Sequence, residues 1–203
     1  MTITSIALCS TLTFSIILNI GLVYLARYLA IDPGFGLKTR AAGELAMWLA
    51  WGPRWVVYGD IDRLTVANWV MTTNQKTGHD RFNEIARGAI KQLRESDTAL
   101  VFGGDEWRFL IRPPSGGRRH HWDAEQFCQR LQALLRTADY TDWEREQLQK
   151  ATGHPYVRIT LASAYSASVW HHRAALDAAK VRVQLAKPKD GTGQRGQILE
   201  ASI

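Results

Sequence analysis

The sequence predicts an α/β domain, a sheet covered by helices, carried behind one N-terminal membrane-spanning helix. Three observations lead there. Segments with apolar residues at helical spacing alternate along the chain with short apolar blocks of strand length. A Gly-Gly-Asp-Glu link at 103–106 joins two such blocks at hairpin distance. Residues 1–26 carry no Asp, Glu, Lys or Arg, although 22% of the 203 residues are charged. The 46% apolar share excludes a mostly disordered chain. Two distant cysteines, Cys9 and Cys128, exclude a disulfide framework. A net charge of +6 suits nucleotides or an anionic surface and selects neither.

The uncharged stretch Ile3–Ala26 would extend ~36 Å as a helix, enough to cross a hydrocarbon core of ~30 Å. A cleaved signal would need a basic start and a small-x-small site, and neither is present. Arg27, Lys38 and Arg40 follow the span and nothing basic precedes it, so the remainder is expected on the cytoplasmic side of the inner membrane. This divides the chain into an anchor, 1–30, and a domain, 31–203.

Asp32–Gly36 reads as a turn. Leu37, Ala41, Leu45, Trp48 and Leu49 form a helical stripe that Gly52-Pro53 ends. That stripe is expected to dock on its own domain, with Trp48, Trp51 and Trp55 packing there. Arg54–Ile61 is a buried strand. After a polar stretch, Phe82, Ile85, Ala86, Ala89, Ile90 and Leu93 mark a helix over 80–95. Strands at 98–102 and 107–111 flank the Gly-Gly-Asp-Glu link, and 113–119 is a loop. Asp123 and Gln126 open a further helix with the stripe Phe127, Leu131, Leu134 and Leu135. Residues 139–150 are expected to be polar surface. A strand over 156–164, an Ala-rich helix over 169–187 and a short strand at 197–199 complete the domain.

Acidic clusters fall at two strand ends: Asp60-Ile61-Asp62, and Asp105-Glu106 in the hairpin link. If those strands are sheet neighbours, the carboxylates meet at one edge and offer the hard oxygen ligands that Mg²⁺ requires. Glycines beside them allow positive φ and close approach of backbone N–H groups to phosphate. Metal and phosphate cradle together point to phosphoryl or nucleotidyl transfer.

At this point the residues match a known pattern. Asp32-Pro33-Gly34-Phe35-Gly36-Leu37-Lys38-Thr39-Arg40 resembles the opening motif D-x-L-T-G-L-x-N-R of GGDEF domains, the diguanylate cyclase family. Asp60-Ile61-Asp62-Arg63-Leu64 resembles D-I-D-x-F, Asn68 falls at the next motif's Asn, and Gly78-His79 at its Gly-His pair. Gly103-Gly104-Asp105-Glu106-Trp107 is similar to the signature, with Trp for Phe, and Ala186-Lys187 to the closing Ala-Lys.

The resemblance implies a palm-like nucleotidyl cyclase fold with a central mixed sheet, and a Mg²⁺ or Mn²⁺ cofactor. It implies Asp60, the Ile61 carbonyl and Asp105 as metal ligands, and Asp60, Asp105 and Glu106 as catalytic, Glu106 assisting the metals or activating the attacking hydroxyl. Gly103 and Gly104 would border the nucleotide, Asn68 and Asn83 would meet the base, and Lys187 the triphosphate. Two GTP-loaded protomers of a homodimer would condense their substrates into cyclic di-GMP. Arg94 and Asp97 have the R-x-x-D spacing of the family's product-inhibition site, or they are simply a charged helix end.

Four features depart from the family pattern. About six extra residues lie between Asn68 and Gly78. Asn83 replaces a base-reading Asp, and an amide suits adenine better than guanine's paired donors. Val101 and Thr65 stand where cations are usual. Three readings therefore stay open: a cyclase making cyclic di-GMP, a degenerate domain that binds nucleotide or product and signals without turnover, and a cyclase using ATP. Nucleic acid is not an expected partner. His120-His121 and His171-His172 lack metal-ligand spacing and are expected to pack or face solvent.

Overall fold

The computed structural model describes residues 13–23, 39–72, 78–91, 98–101, 104–113, 121–187 and 196–200. Residues 13–23 form helix α1. There follow α2 (Arg40–Leu49), β1 (Arg54–Ile61), α3 (Leu64–Val70), α4 (Gly78–Ile90), β2 (Thr98–Val101) and β3 (Glu106–Ile111). The chain continues with α5 (His121–Arg136), α6 (Asp142–Thr152), β4 (Ile159–Ser166), a 3₁₀ turn (Val169–His171), α7 (His172–Ala186) and β5 (Ile198–Glu200).

The five strands lie in the order β2-β3-β1-β4-β5, antiparallel except for the parallel β4–β5 pair. β1 is central and buried on both faces, which is why its residues run apolar without alternation. Odd-numbered residues Trp55, Val57, Ile61, Trp107 and Phe109 join the core that includes Phe82, Phe127, Leu131 and Leu148 of α4, α5 and α6. Even-numbered Val56, Tyr58 and Leu110 meet Met47 of α2 and Ala175, Leu176, Ala179 and Val183 of α7. The period of two thus assigns each strand residue to one of two helical layers.

Several expectations need correction. α2 docks, but through Met47 with Ala46 and Ala50, not through its large apolar stripe. Leu45, Trp48 and Leu49 are exposed, Trp51 is 74% exposed, and Trp55 alone of the three tryptophans is buried. The small residues allow the helix to lie close to the sheet, and that turns the bulky side outward.

The connection after Asp62 is a helix, α3, entered through Arg63 in the left-handed region at φ 55°. Asp142–Thr152 is also a helix, started by a reciprocal Thr141–Glu144 capping box. Buried Glu144 receives two hydrogen bonds from Arg81, at 3.0 and 3.2 Å, so this polar helix is fixed by charge as much as by Leu148. β4 begins three residues and ends two residues later than expected, and a 3₁₀ turn precedes α7. His172 is buried, with Nδ1 sharing a 2.6 Å hydrogen bond with Ser166 Oγ and Nε2 donating to the Ala50 carbonyl at 2.9 Å. Its role is packing, as expected.

α1 covers part of the predicted span, with Phe14, Ile16, Ile17, Leu18, Ile20, Leu22 and Val23 all exposed. Among the described residues no helix is long and apolar enough to cross a membrane. The remainder of Ile3–Ala26 and the Asp32–Lys38 motif lie outside them.

Gly59 sits opposite Trp107 on β3 and Leu161 on β4. A Cβ there would come within 2.8 Å of the side chains of Ile159 and Leu161. Gly59→Ala is expected to lower unfolding free energy by about 1–3 kcal/mol, the usual cost of overpacking a filled core. Chemical denaturation measures it, and an unchanged midpoint would show slack around β1.

Candidate active site at one end of the sheet

β1 and β3 are sheet neighbours, so the condition set by the sequence is met. Asp60 is paired in register with Glu106, and the Ile61 N–H donates to the Asp105 carbonyl at 2.9 Å. The two acidic clusters therefore share one edge. Pleating sends Asp60 and Glu106 to the α7 face and Trp107 to the opposite one. There Trp107 is buried against Phe82 and Phe109, with ring centroids 6.1 and 6.3 Å away. The fifth signature residue is a core filler, and its indole N–H is buried there without a partner, a cost that a phenyl ring would not carry.

Lys187, just past the end of α7, puts its ammonium among four oxygens. It bonds Asp60 Oδ1, lies 2.9 Å from Asp62 Oδ1, and is 3.3 Å from each of the Asp60 and Ile61 carbonyls. Burial pushes the Asp60 carboxyl above its ordinary range; Lys187 opposes that, and the charges of Asp105 and Asp62 reinforce it. Asp62 is buried, accepts from Thr160 Oγ1 at 3.0 Å, and leaves Oδ2 without a partner. Asp105 is exposed.

Glu106 is engaged differently. Lys180 Nζ donates to Oε1 at 2.9 Å, Arg108 lies 3.6 Å from Oε2, and the Tyr58 hydroxyl also bonds the carboxylate. Burial alone would raise the Glu106 carboxyl, but Lys180, Tyr58 and Arg108 outweigh it and hold it below the usual range. A carboxylate so stabilised is a weak base. This arrangement suits holding cations better than taking a proton from a hydroxyl.

Sequence reasoning missed Lys180, Arg108, Tyr58 and Thr160, and placed Asp62 in the acidic cluster without assigning it a separate role. The signal was periodic: Tyr58 with Asp60 and Glu106 with Arg108 share strand faces at spacing two, and Lys180 with Lys187 share a helix face two turns apart. These cations supply charge that Thr65 and Val101 do not.

Asn68 and Asn83 lie on α3 and α4, which pack together, and each keeps a buried Oδ1 without a partner. Unpaired buried acceptors on two packed helices are a natural place for a ligand's N–H donors. Gly104 is not at positive φ, and a Cβ there would meet Leu64 at an ordinary 3.4 Å, so the expected backbone freedom is not used at this residue. Gly103, Arg94 and Asp97 lie outside the described residues.

Neither a family sequence model nor a curated protein matches the chain. Solved structures do. The coiled coil and GGDEF domain of DgcB from Caulobacter crescentus, in complex with c-di-GMP, matches at TM-score 0.66 and 14% identity, covering 98% of this chain and 100% of that one. This chain has the GGDEF fold. The GGDEF domain of YfiN (TpbB) from Pseudomonas aeruginosa matches at TM-score 0.60 and 22% identity over 85% of this chain and 93% of that one. The diguanylate cyclase SiaD of the same organism, solved with its activator SiaC, matches at TM-score 0.61 and 18% identity over 98% and 72%. The mixed sheet and its flanking helices are thus those of GGDEF domains.

The resemblance implies a divalent cation, and the oxygens at this edge are of the kind that would hold one. Among the described residues no three ligating side chains already converge as a metal centre. The oxygens around Lys187 nevertheless form a cage already holding its ammonium, and burial keeps the Asp60 carboxyl above its ordinary range despite that partner. Those donors are the hard oxygens that Mg²⁺ and Mn²⁺ prefer.

Lys180→Met removes the nearest cation from Glu106. The Glu106 carboxyl is expected to move up from its depressed value, because burial then acts with less opposition. Carboxylate NMR titration reads the shift, and a downward or absent shift would contradict the ion pair. The sign for stability follows: the contribution of Glu106 is present above its unfolded pKa and is lost as pH falls through the folded one.

Proposed function

We propose that the protein is a membrane-anchored nucleotidyl cyclase that condenses two GTP into cyclic di-GMP at the interface of a homodimer. The observation that carries this reading is the β1–β3 register, which sets Asp60 against Glu106 and the Asp105 backbone against Ile61. Asp60 and the Ile61 carbonyl would hold the metal, with exposed Asp105 close enough for its charge to act on Asp60. The metal supplies charge neutralisation at the reacting phosphate and polarises the attacking hydroxyl.

The chain's own residues do the rest. Lys187 offers a charge-assisted contact to the triphosphate. Glu106 keeps Lys180 and Arg108 at the sheet edge, where their charge adds to the field felt by phosphate oxygens. Asn68 and Asn83 present amides toward the base. A single protomer holds one triphosphate and therefore half of the reactants, so turnover needs two copies.

ATP is the second reading, and Asn83 favours it. Its amide is buried at 2% exposure with Oδ1 unpaired, and an amide matches the donor and acceptor edge of adenine. The apolar N-terminal stretch ahead of the domain supports an anchor in the inner membrane with the domain in the cytoplasm.

The test uses the full chain with Mg²⁺ or Mn²⁺ and either GTP or ATP, with products identified by mass spectrometry. The expected result is a cyclic dinucleotide from GTP, formed at a rate rising with the square of dilute protein concentration and lost in Asp105→Ala. Product from ATP alone transfers the assignment to adenine. Binding without turnover of either nucleotide leaves a degenerate, signalling domain.

A further inference from the structure

Asp62, the second acidic residue of the Asp60-Ile61-Asp62 cluster, is the most buried carboxylate at the sheet end. Its side chain is 5% exposed, against 26% for Asp60. Oδ1 takes the Thr160 hydroxyl at 3.0 Å and lies 2.9 Å from Lys187 Nζ, while Oδ2 has no partner. The Asp62 N–H donates to the Arg158 carbonyl at 2.8 Å, fixing its backbone. The Gly196 N–H donates to Thr160 Oγ1 at 2.9 Å. Both ends of the stretch 187–196 are therefore tied, directly or through one hydroxyl, to a single carboxylate.

An ammonium has three N–H donors, and Lys187 faces four oxygens. If Asp60 and the Ile61 carbonyl held a divalent cation, like-charge repulsion would leave the ammonium only its contact with Asp62. Asp62 Oδ1 already holds it, and Oδ2 is a buried acceptor without a partner on the same carboxylate. We infer that Asp62 is a positioning residue that keeps Lys187 beside the metal and directs its ammonium to the triphosphate. Asp62 acts through Lys187 and is not a ligand of the metal. This rests on the cyclase reading.

The test is a double-mutant cycle in the full chain, with two binding readouts and no turnover. Mn²⁺ affinity is measured by electron paramagnetic resonance. Triphosphate affinity is measured at saturating Mn²⁺ with 3′-deoxy-GTP or 3′-deoxy-ATP, whichever the wild type binds, since neither has the attacking hydroxyl. Asp62→Asn is expected to keep Mn²⁺ affinity within roughly threefold and to weaken triphosphate binding about tenfold, the scale of one charge-assisted contact. Lys187→Gln should weaken triphosphate binding equally, and the double variant no further than Lys187→Gln alone.

Retained Mn²⁺ binding also shows that Asp62→Asn has folded. Thr160→Val, which keeps shape and loses the hydroxyl, should move triphosphate affinity the same way by less. Loss of Mn²⁺ binding in Asp62→Asn, or multiplying losses in the double variant, overturns the inference and leaves the cyclase reading standing. A wild-type chain that binds neither Mn²⁺ nor either analogue overturns both.

Discussion

The structure depends on the antiparallel register between β1 and β3. One residue of slip would invert every side chain of a strand between the two helical layers. In β1 it would carry Asp60 into the aromatic core; in β3 it would carry Trp107 out of it. That slip is prevented by bulk on both faces: Trp55, Val57, Trp107 and Phe109 fill one core, Val56, Tyr58 and Leu110 the other. Gly59 is the matching absence, a position where β1 must lack a side chain for Ile159 and Leu161 to close over it. The packing that stabilises the sheet thus also aligns the acidic residues.

Charge is arranged around that edge by one helix. α7 buries Ala175, Leu176, Ala179 and Val183 against the sheet, and small residues let it lie close. Lys180 then reaches Glu106, and Lys187, where the helix stops, reaches Asp60 and Asp62. Each acidic cluster has its own lysine, with different consequences. Glu106, with Tyr58 and Arg108 added, is held ionised; Asp60, more buried and beside two other carboxylates, stays above its ordinary range despite its partner.

Much of this was legible in the sequence because strands buried on both sides announce themselves as apolar blocks, and acidic pairs at their ends stand out against them. Helices were read less well. In α2 the large residues Leu45, Trp48 and Leu49 dominate the periodic signal, whereas the face that packs is Met47 with two alanines. α3 is seven residues long, too short for a period to show. α6 is polar, and its stability comes from a capping box, which was local and readable, and from Arg81, which is 63 residues from Glu144 and was not. The same holds at the site: Lys180 and Glu106 are 74 residues apart, Lys187 and Asp60 127, and only the fold makes them neighbours.

The central claim is that the β1–β3 edge gathers oxygens for a divalent cation. Backbone amide NMR of the full chain during Mn²⁺ titration tests it most directly, because a paramagnetic ion broadens the signals nearest to it. Asp60, Ile61, Asp105 and Glu106 are expected to broaden first, with Trp55 and Ile111, at the far end of the same strands, last. Broadening that begins elsewhere, or spreads evenly over the domain, would contradict it.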